Sequence, residues 1–139
     1  GPVLAEQVRA WAGRADLRVQ PVIDLADRRS VDAYEVPARM SKQVLLRDPC
    51  CPFPYCSNLS RHKDNDHVVP FDPGDADQRP PPGQTSPDNL APLCRRHHRI
   101  KTHSVWRYIM APPGTYLWTS PHCRRYRVDN TGTTPLDTG

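Results

Sequence analysis

The chain has no apolar run approaching the roughly 20 residues that a membrane-spanning helix needs, no visible signal peptide and no internal repeat. A soluble, cytoplasmic protein with no membrane partner is therefore expected. Glycine is scarce, with 7 residues against 17 prolines among 139, which excludes long uninterrupted helices and strands. The most informative absence is one of charge. From Asn89 to Val128 there is no acidic residue, while Arg95, Arg96, Arg99, Lys101, Arg107, Arg124, Arg125 and Arg127 supply eight basic ones. The stretch from Asp64 to Asp88 is the reverse, with six acidic residues and only Arg79 against them. The net charge of +4 thus hides an electropositive second half suited to a polyanion. The plain alternative for such a run is a solvated basic face.

What is present reads as one α+β domain with a thin core. Gly1-Pro2 has the look of a remnant left by a tag-removing protease, so an upstream domain is expected to be missing. Residues 3–48 read as an extension made of a helix (3–13), a strand (18–25) and a second helix (38–47) that starts after Pro37. Residues 49–128 form the expected core. Within it, 71–88 is an irregular Pro/Gly/Asp loop and 93–104 a helix, while "WRYIM", "TYLWTS" and "RRYRV" are strands joined by the Pro112-Pro113-Gly114 and Ser120-Pro121 turns. Residues 129–139 read as a flexible tail. The aromatic residues Trp106, Tyr108, Tyr116, Trp118 and Tyr126 alternate with polar ones and are expected in the core of this carboxyl-terminal hairpin region. Nothing in the chain signals an oligomeric state.

Five cysteines in so short a chain call for a role. Cys56 closes the tight knuckle "CCPFPYC", which offers Cys50 or Cys51 as its companion, and Cys94 lies three residues before His97 in "CRRH". Two close pairs about forty residues apart are what a tetrahedral structural zinc asks of a chain, each pair chelating locally and the metal closing the loop between them. A disulfide or free thiols are the alternative. On a helix, Cys94 and His97 fall within about 60° of each other, whereas His98 is turned about 100° from His97. The two adjacent histidines therefore serve different sites.

The stretch "DNDHVVP", residues 64–70, carries three titratable groups in four positions just before two valines. Unpaired buried charge costs several kcal/mol, so either this is a solvated loop or the groups hold a cation and move a proton. If the stretch packs across the 93–104 helix, Asp66 and His98 converge on one divalent cation, magnesium, manganese or a similar ion, with His67 unligated beside it. A neutral imidazole next to a hydrated metal and a phosphate is suited to act as a general base in phosphodiester hydrolysis.

The motifs "DPCCPFPYC", "DNDHVVP", "SPDNLAPLCRRHHRIKTH" and "GTYLWTSP" resemble, in order and spacing, the zinc-bound HNH endonucleases of the ββα-metal fold, in particular the domain at the carboxyl end of a large actinobacterial family with an upstream domain of unknown function. "RVQPVIDL" and "VDAYEVP" are similar to the segment that precedes the core in those proteins, so the resemblance covers nearly the whole chain. It implies a small ββα-metal core stapled by zinc on Cys51, Cys56, Cys94 and His97, with Cys51 rather than Cys50 as the ligand. It also implies His67 as the first H and general base, Asn89 as the N that ties the preceding loop to the backbone around that histidine, and His98 as the last H. Asp66 and His98 would hold the catalytic divalent ion. Cys123 stands where a turn glycine is usual.

The expectation is thus a metal-dependent endonuclease acting on DNA, most readily double-stranded, with Arg95, Arg96, Arg99, Lys101 and Arg107 on the phosphates. A zinc-stapled module that binds nucleic acid without cutting it would keep the zinc ligands and the basic face but has no need for Asp66, His67 and His98. A purely structural domain partnering an upstream region would need neither set.

Overall fold

The computed structural model describes residues 23–59 and 62–136, together with Gln7, Arg9, Ala10 and Gly13. Of the helix expected at 3–13 only Gln7, Arg9, Ala10 and Gly13 are described, the first three of them helical, while most of the strand expected at 18–25 lies outside the described residues and residues 23–25 at its end are not in a strand. Among the described residues the chain folds as α+β, with two α-helices and two antiparallel sheets. None of those helices is long and apolar enough to cross a membrane.

Helix α1, Ala38–Arg47, starts where expected because Pro37 has an extended backbone and cannot continue a helix backwards. Its residues Met40, Gln43 and Val44, at helical spacing, are buried. Met40 and Val44 pack on Leu90, with Val31 and Val36 closing this smaller core. Strand β1, Lys63–His67, pairs antiparallel with strand β2, Leu90–Cys94, in a register that sets Asp66 opposite Ala91 and His67 opposite Leu90. Helix α2, Arg95–His103, leaves directly from the end of β2. The helix expected over 93–104 therefore begins two residues later, and the residues before it are a strand.

That strand is buried at all five positions, so its sequence shows neither period, and Pro92 inside it argues against a strand altogether. Pro92 is tolerated because the sheet has only two strands and each is an edge.

The expected carboxyl-terminal strands are β3 (Arg107–Met110), β4 (Tyr116–Thr119) and β5 (Arg125–Asp129), in a meander that a further strand, β6 (Gly132–Leu136), completes. The stretch expected as a flexible tail thus supplies an edge strand, which Pro135 suits. The tight turn before β5 places Cys123 at φ +63°, in the left-handed region that favours glycine.

The main core lies between this sheet and the β2–α2 junction and holds Cys51, Ala91, Leu93, Cys94, Tyr108, Tyr116, Trp118 and Val128. Trp118 is fully buried and its indole Nε1–H donates to the Pro52 carbonyl at 2.8 Å. A second tie joins the two cores. The half-buried Arg47 guanidinium donates to the Pro87 and Leu90 carbonyls, both at 2.6 Å, and pairs with Asp48, whose carboxylate accepts from the Tyr116 hydroxyl at 2.5 Å. Every donor of this network that points inward has an acceptor, the condition under which a buried charge is tolerated. Trp118→Ala should cost about 3–5 kcal/mol of folding stability, because it removes both the packing and the bond to Pro52. Denaturant unfolding of the two proteins measures the difference, and a loss under about 1 kcal/mol would mean that the knuckle is held without it.

Candidate metal centre and adjoining cleft

Three segments deliver the cysteine cluster. Cys51 and Cys56 flank the knuckle, which the Cys56 N–H closes by donating to the Phe53 carbonyl at 3.0 Å. Cys94 ends β2 and His97 lies in the first turn of α2, as the three-residue spacing requires. The four ligand atoms lie within 4.8 Å of one another, with Cys94 Sγ 3.2 Å and Cys51 Sγ 3.6 Å from His97 Nδ1. Phe53 stacks on the His97 ring at 4.0 Å and 6°, which fixes the imidazole plane. Cys50 and Cys123 are exposed and stand outside the cluster.

The donor set fits a metal ion such as zinc. Ligand atoms on a tetrahedral zinc are separated by about 3.3–3.8 Å, given metal–ligand bonds of about 2.0–2.3 Å, and none of the cysteines is in a disulfide. Burial pushes the Cys51 thiol far up and the Cys56 thiol up as well. Burial acts on Cys94 in the same sense, but hydrogen bonds from the His97 backbone and the Asn58 side chain outweigh it and leave this thiol lowered. Burial, with Arg96 nearby, lowers His97 and keeps it neutral, the form that coordinates. Buried thiols held this close repel one another as thiolates unless a cation sits between them.

The same β2–α2 junction sets the cleft next door. Because side chains alternate along β1, Lys63, Asn65 and His67 face the α1 side, while Asp64 and Asp66 face α2. Lys63 and Asn65 accordingly bond Ser41 of α1, at 2.5 and 3.0 Å. On the other face, His98 of α2 lies between the two carboxylates, its Nδ1 3.1 Å from Asp64 Oδ2 and its Nε2 3.3 Å from Asp66 Oδ1. Asp66 is 5% exposed and also accepts from the Tyr108 hydroxyl at 2.5 Å and from Lys101 Nζ at 2.9 Å. Burial and the neighbouring Asp66 raise Tyr108 far above the usual phenol range, so it remains a donor.

His67, at the end of β1, is 6% exposed and turns its Nε2 to the Thr85 hydroxyl at 2.8 Å. Tyr34 stacks on its ring at 5.2 Å and Phe71 meets the ring edge at 5.5 Å. Burial lowers the pKa of His67, Asp66 opposes this, and Lys101 adds to it. Asp66, His67, His98 and Lys101 line one open cleft of about 340 Å³ with Tyr34 and Phe71. Asn89 does not line it but holds the chain that leaves His67. Its side-chain carbonyl accepts from the Val69 N–H at 2.8 Å and its amide donates to Gln84 and Val69, which pins the chain immediately after His67 to the end of the long loop.

The basic residues divide. Arg95, Arg96 and Arg99 are exposed along α2, and Arg107 is exposed on the four-stranded sheet in a row with Thr119 and Arg125. Lys101 is not a free surface cation, since its ammonium pairs with Asp66 and donates to the His67 carbonyl at 3.2 Å. Sequence reasoning passed over Tyr34, Thr85 and Tyr108 as site residues. Tyr108 read as a core aromatic, and Thr85 and Tyr34 carried no local signal.

The chain is 36% identical to the uncharacterized protein Rv3776 of Mycobacterium tuberculosis over 126 residues, and 34% identical over 126 residues to the uncharacterized protein Rv2100 of the same organism. Each match takes in 90% of this chain but only 22% and 20% of the respective relative, so the chain spans about a fifth of the length of the curated relatives it matches. No family model matches the chain, and no solved structure does.

The cluster makes a direct prediction. Elemental analysis of the purified protein should find about one zinc per chain, and Cys94→Ser should lose both the metal and the cooperative fold, since metal affinity in such a site is folding energy. Well-folded protein free of metal would leave the cysteines as packed thiols.

Proposed function

We propose that this chain is an HNH-type endonuclease domain that hydrolyses DNA phosphodiester bonds with a divalent ion, its fold stapled by zinc. The observation that carries the reading is the convergence, in one cleft, of a buried histidine with a carboxylate–imidazole pair, Asp66 and His98, at 3.3 Å. If the Nδ1–H of His98 donates to Asp64, its Nε2 lone pair faces the Asp66 carboxylate. A carboxylate holding the far nitrogen is the usual support of a metal-bound histidine, and the Asp66 carboxylate beside the other nitrogen completes a pair of donors suited to a divalent ion.

Asp66 and His98 would hold magnesium, manganese or another divalent ion, which when bound supplies Lewis acidity towards the phosphate and the departing oxygen. His67 acts on the water. Its lowered pKa leaves it neutral at physiological pH, ready to take a proton as the water attacks phosphorus. Asn89 keeps the backbone after His67 in place, and Arg95, Arg96 and Arg99 meet the phosphates beyond the cleft.

One observation favours a second reading. The Lys101 ammonium already neutralises Asp66, as the cleft of a zinc-stapled module that binds nucleic acid without cutting it would need.

A supercoiled-plasmid assay decides between them. The wild type should nick or linearise DNA when given magnesium or manganese, and His67→Ala should slow it on the order of a hundredfold while zinc content and DNA affinity stay unchanged. Asp66→Ala and His98→Ala should be partly rescued by more metal, and Asn89→Ala should not. Because His67 must be neutral and its pKa is lowered, the acid limb of the rate profile should lie below pH 6.5, with activity falling as pH drops through it. Equal cleavage by the wild type and His67→Ala would leave the binding module as the function.

A further inference from the structure

Thr85 is fully buried, although it lies at the end of a long Pro- and Gly-rich loop. Its backbone is bridged to Val31, with N–H···O bonds of 2.8 and 3.2 Å in both directions, so its side chain has a fixed direction. The hydroxyl touches two groups. It donates to the Ala33 carbonyl at 2.6 Å and lies 2.8 Å from His67 Nε2.

A hydroxyl has one proton, and a carbonyl can only accept. With that proton on Ala33, the bond to His67 forms only if Nε2 carries hydrogen and donates. A neutral His67 then has its lone pair on Nδ1, which has no hydrogen-bond partner among the described residues. Tyr34, one residue after Ala33, stacks on the same ring at 20° and Phe71 meets its edge at 66°, so the ring cannot turn over to exchange its nitrogens without breaking these contacts.

We propose that Thr85 is a positioning residue: by donating its one hydroxyl hydrogen bond to Ala33 it fixes the Nε2–H tautomer of His67 and makes Nδ1 the nitrogen that accepts a proton from water. The segment 31–34 and the loop end thus form a clamp on the ring of the base, made by residues other than Asp66, Lys101 and His98. This assignment deepens the nuclease reading and rests on it for the role of Nδ1. The tautomer itself does not depend on that reading.

Long-range 1H–15N correlation spectra of the labelled protein, taken at a pH where His67 is neutral, read the tautomer directly. The wild type should show Nε2–H, Thr85→Ser should keep it, and Thr85→Val, equal in shape but without the hydroxyl, should shift the ring towards the other tautomer or a mixture. On plasmid DNA, Thr85→Val should cut at least about tenfold more slowly at unchanged zinc content, and Thr85→Ser should restore most of the rate. A wild-type Nδ1–H tautomer overturns the assignment, and so does a Thr85→Val protein with the wild-type tautomer and rate. If Thr85→Val does not fold, the wild-type and Thr85→Ser spectra still decide. The expected spectra together with no cleavage by the wild type would uphold Thr85 and remove the nuclease reading instead.

Discussion

Three thiols and an imidazole held within 4.8 Å of one another are the constraint around which the knuckle, the β2–α2 junction and the cleft are arranged. A small domain with two modest cores has little apolar burial to draw on, and close, partly buried sulfur ligands would repel as thiolates without a cation. With a metal such as zinc among them they become a crosslink between the Cys51–Cys56 knuckle and the β2–α2 junction. Trp118 seats the knuckle through Pro52, Phe53 seats the histidine, and the junction fixes where α2 points. Because His98 follows His97 directly, the helix edge next to the cluster is the one that reaches β1. The cleft is therefore built on the cysteine–histidine cluster.

Strand β1 then divides the chemistry by its pleat. One face gives Asp64 and Asp66 to α2, where His98, Lys101 and Tyr108 meet them. The other gives His67 to Thr85, Tyr34 and the loop. Five consecutive residues thus present two faces that meet at one end of the strand, so the side chains of Asp66 and His67 can be neighbours in sequence and still have separate partners. Asp66 is the most heavily engaged group of the site, with a tyrosine, a lysine and a histidine on two oxygens, as a nearly buried carboxylate requires.

Local signals were legible in the sequence and non-local ones were not. Helix α1 was readable from Pro37 and its apolar spacing, three strands of the larger sheet from their alternating aromatics, and the cysteine–histidine cluster from its two close pairs of residues. Strand β2 escaped because full burial erases the alternation that marks a strand and Pro92 argues against one. Strand β6, "GTTPL", has too little apolar content to announce itself and exists because β5 offers it an edge. Lys101 read as one more charge of a basic run, since its pairing with Asp66 depends on a contact across thirty-five residues. Thr85 and Tyr34 carried no signal, for what makes them matter is a bridge between residues 31 and 85 that no local pattern encodes.

The dependence of the cleft on the cluster is open to one direct measurement. Amide 1H–15N spectra can be followed while the bound metal is withdrawn stepwise by a thiol-reactive mercurial, with the fraction removed read in parallel. The account predicts that signals of β1, β2 and α2, those of Asp66, His67 and His98 among them, lose their folded positions together and in proportion to the metal released. Signals that hold their positions in metal-free protein would contradict it.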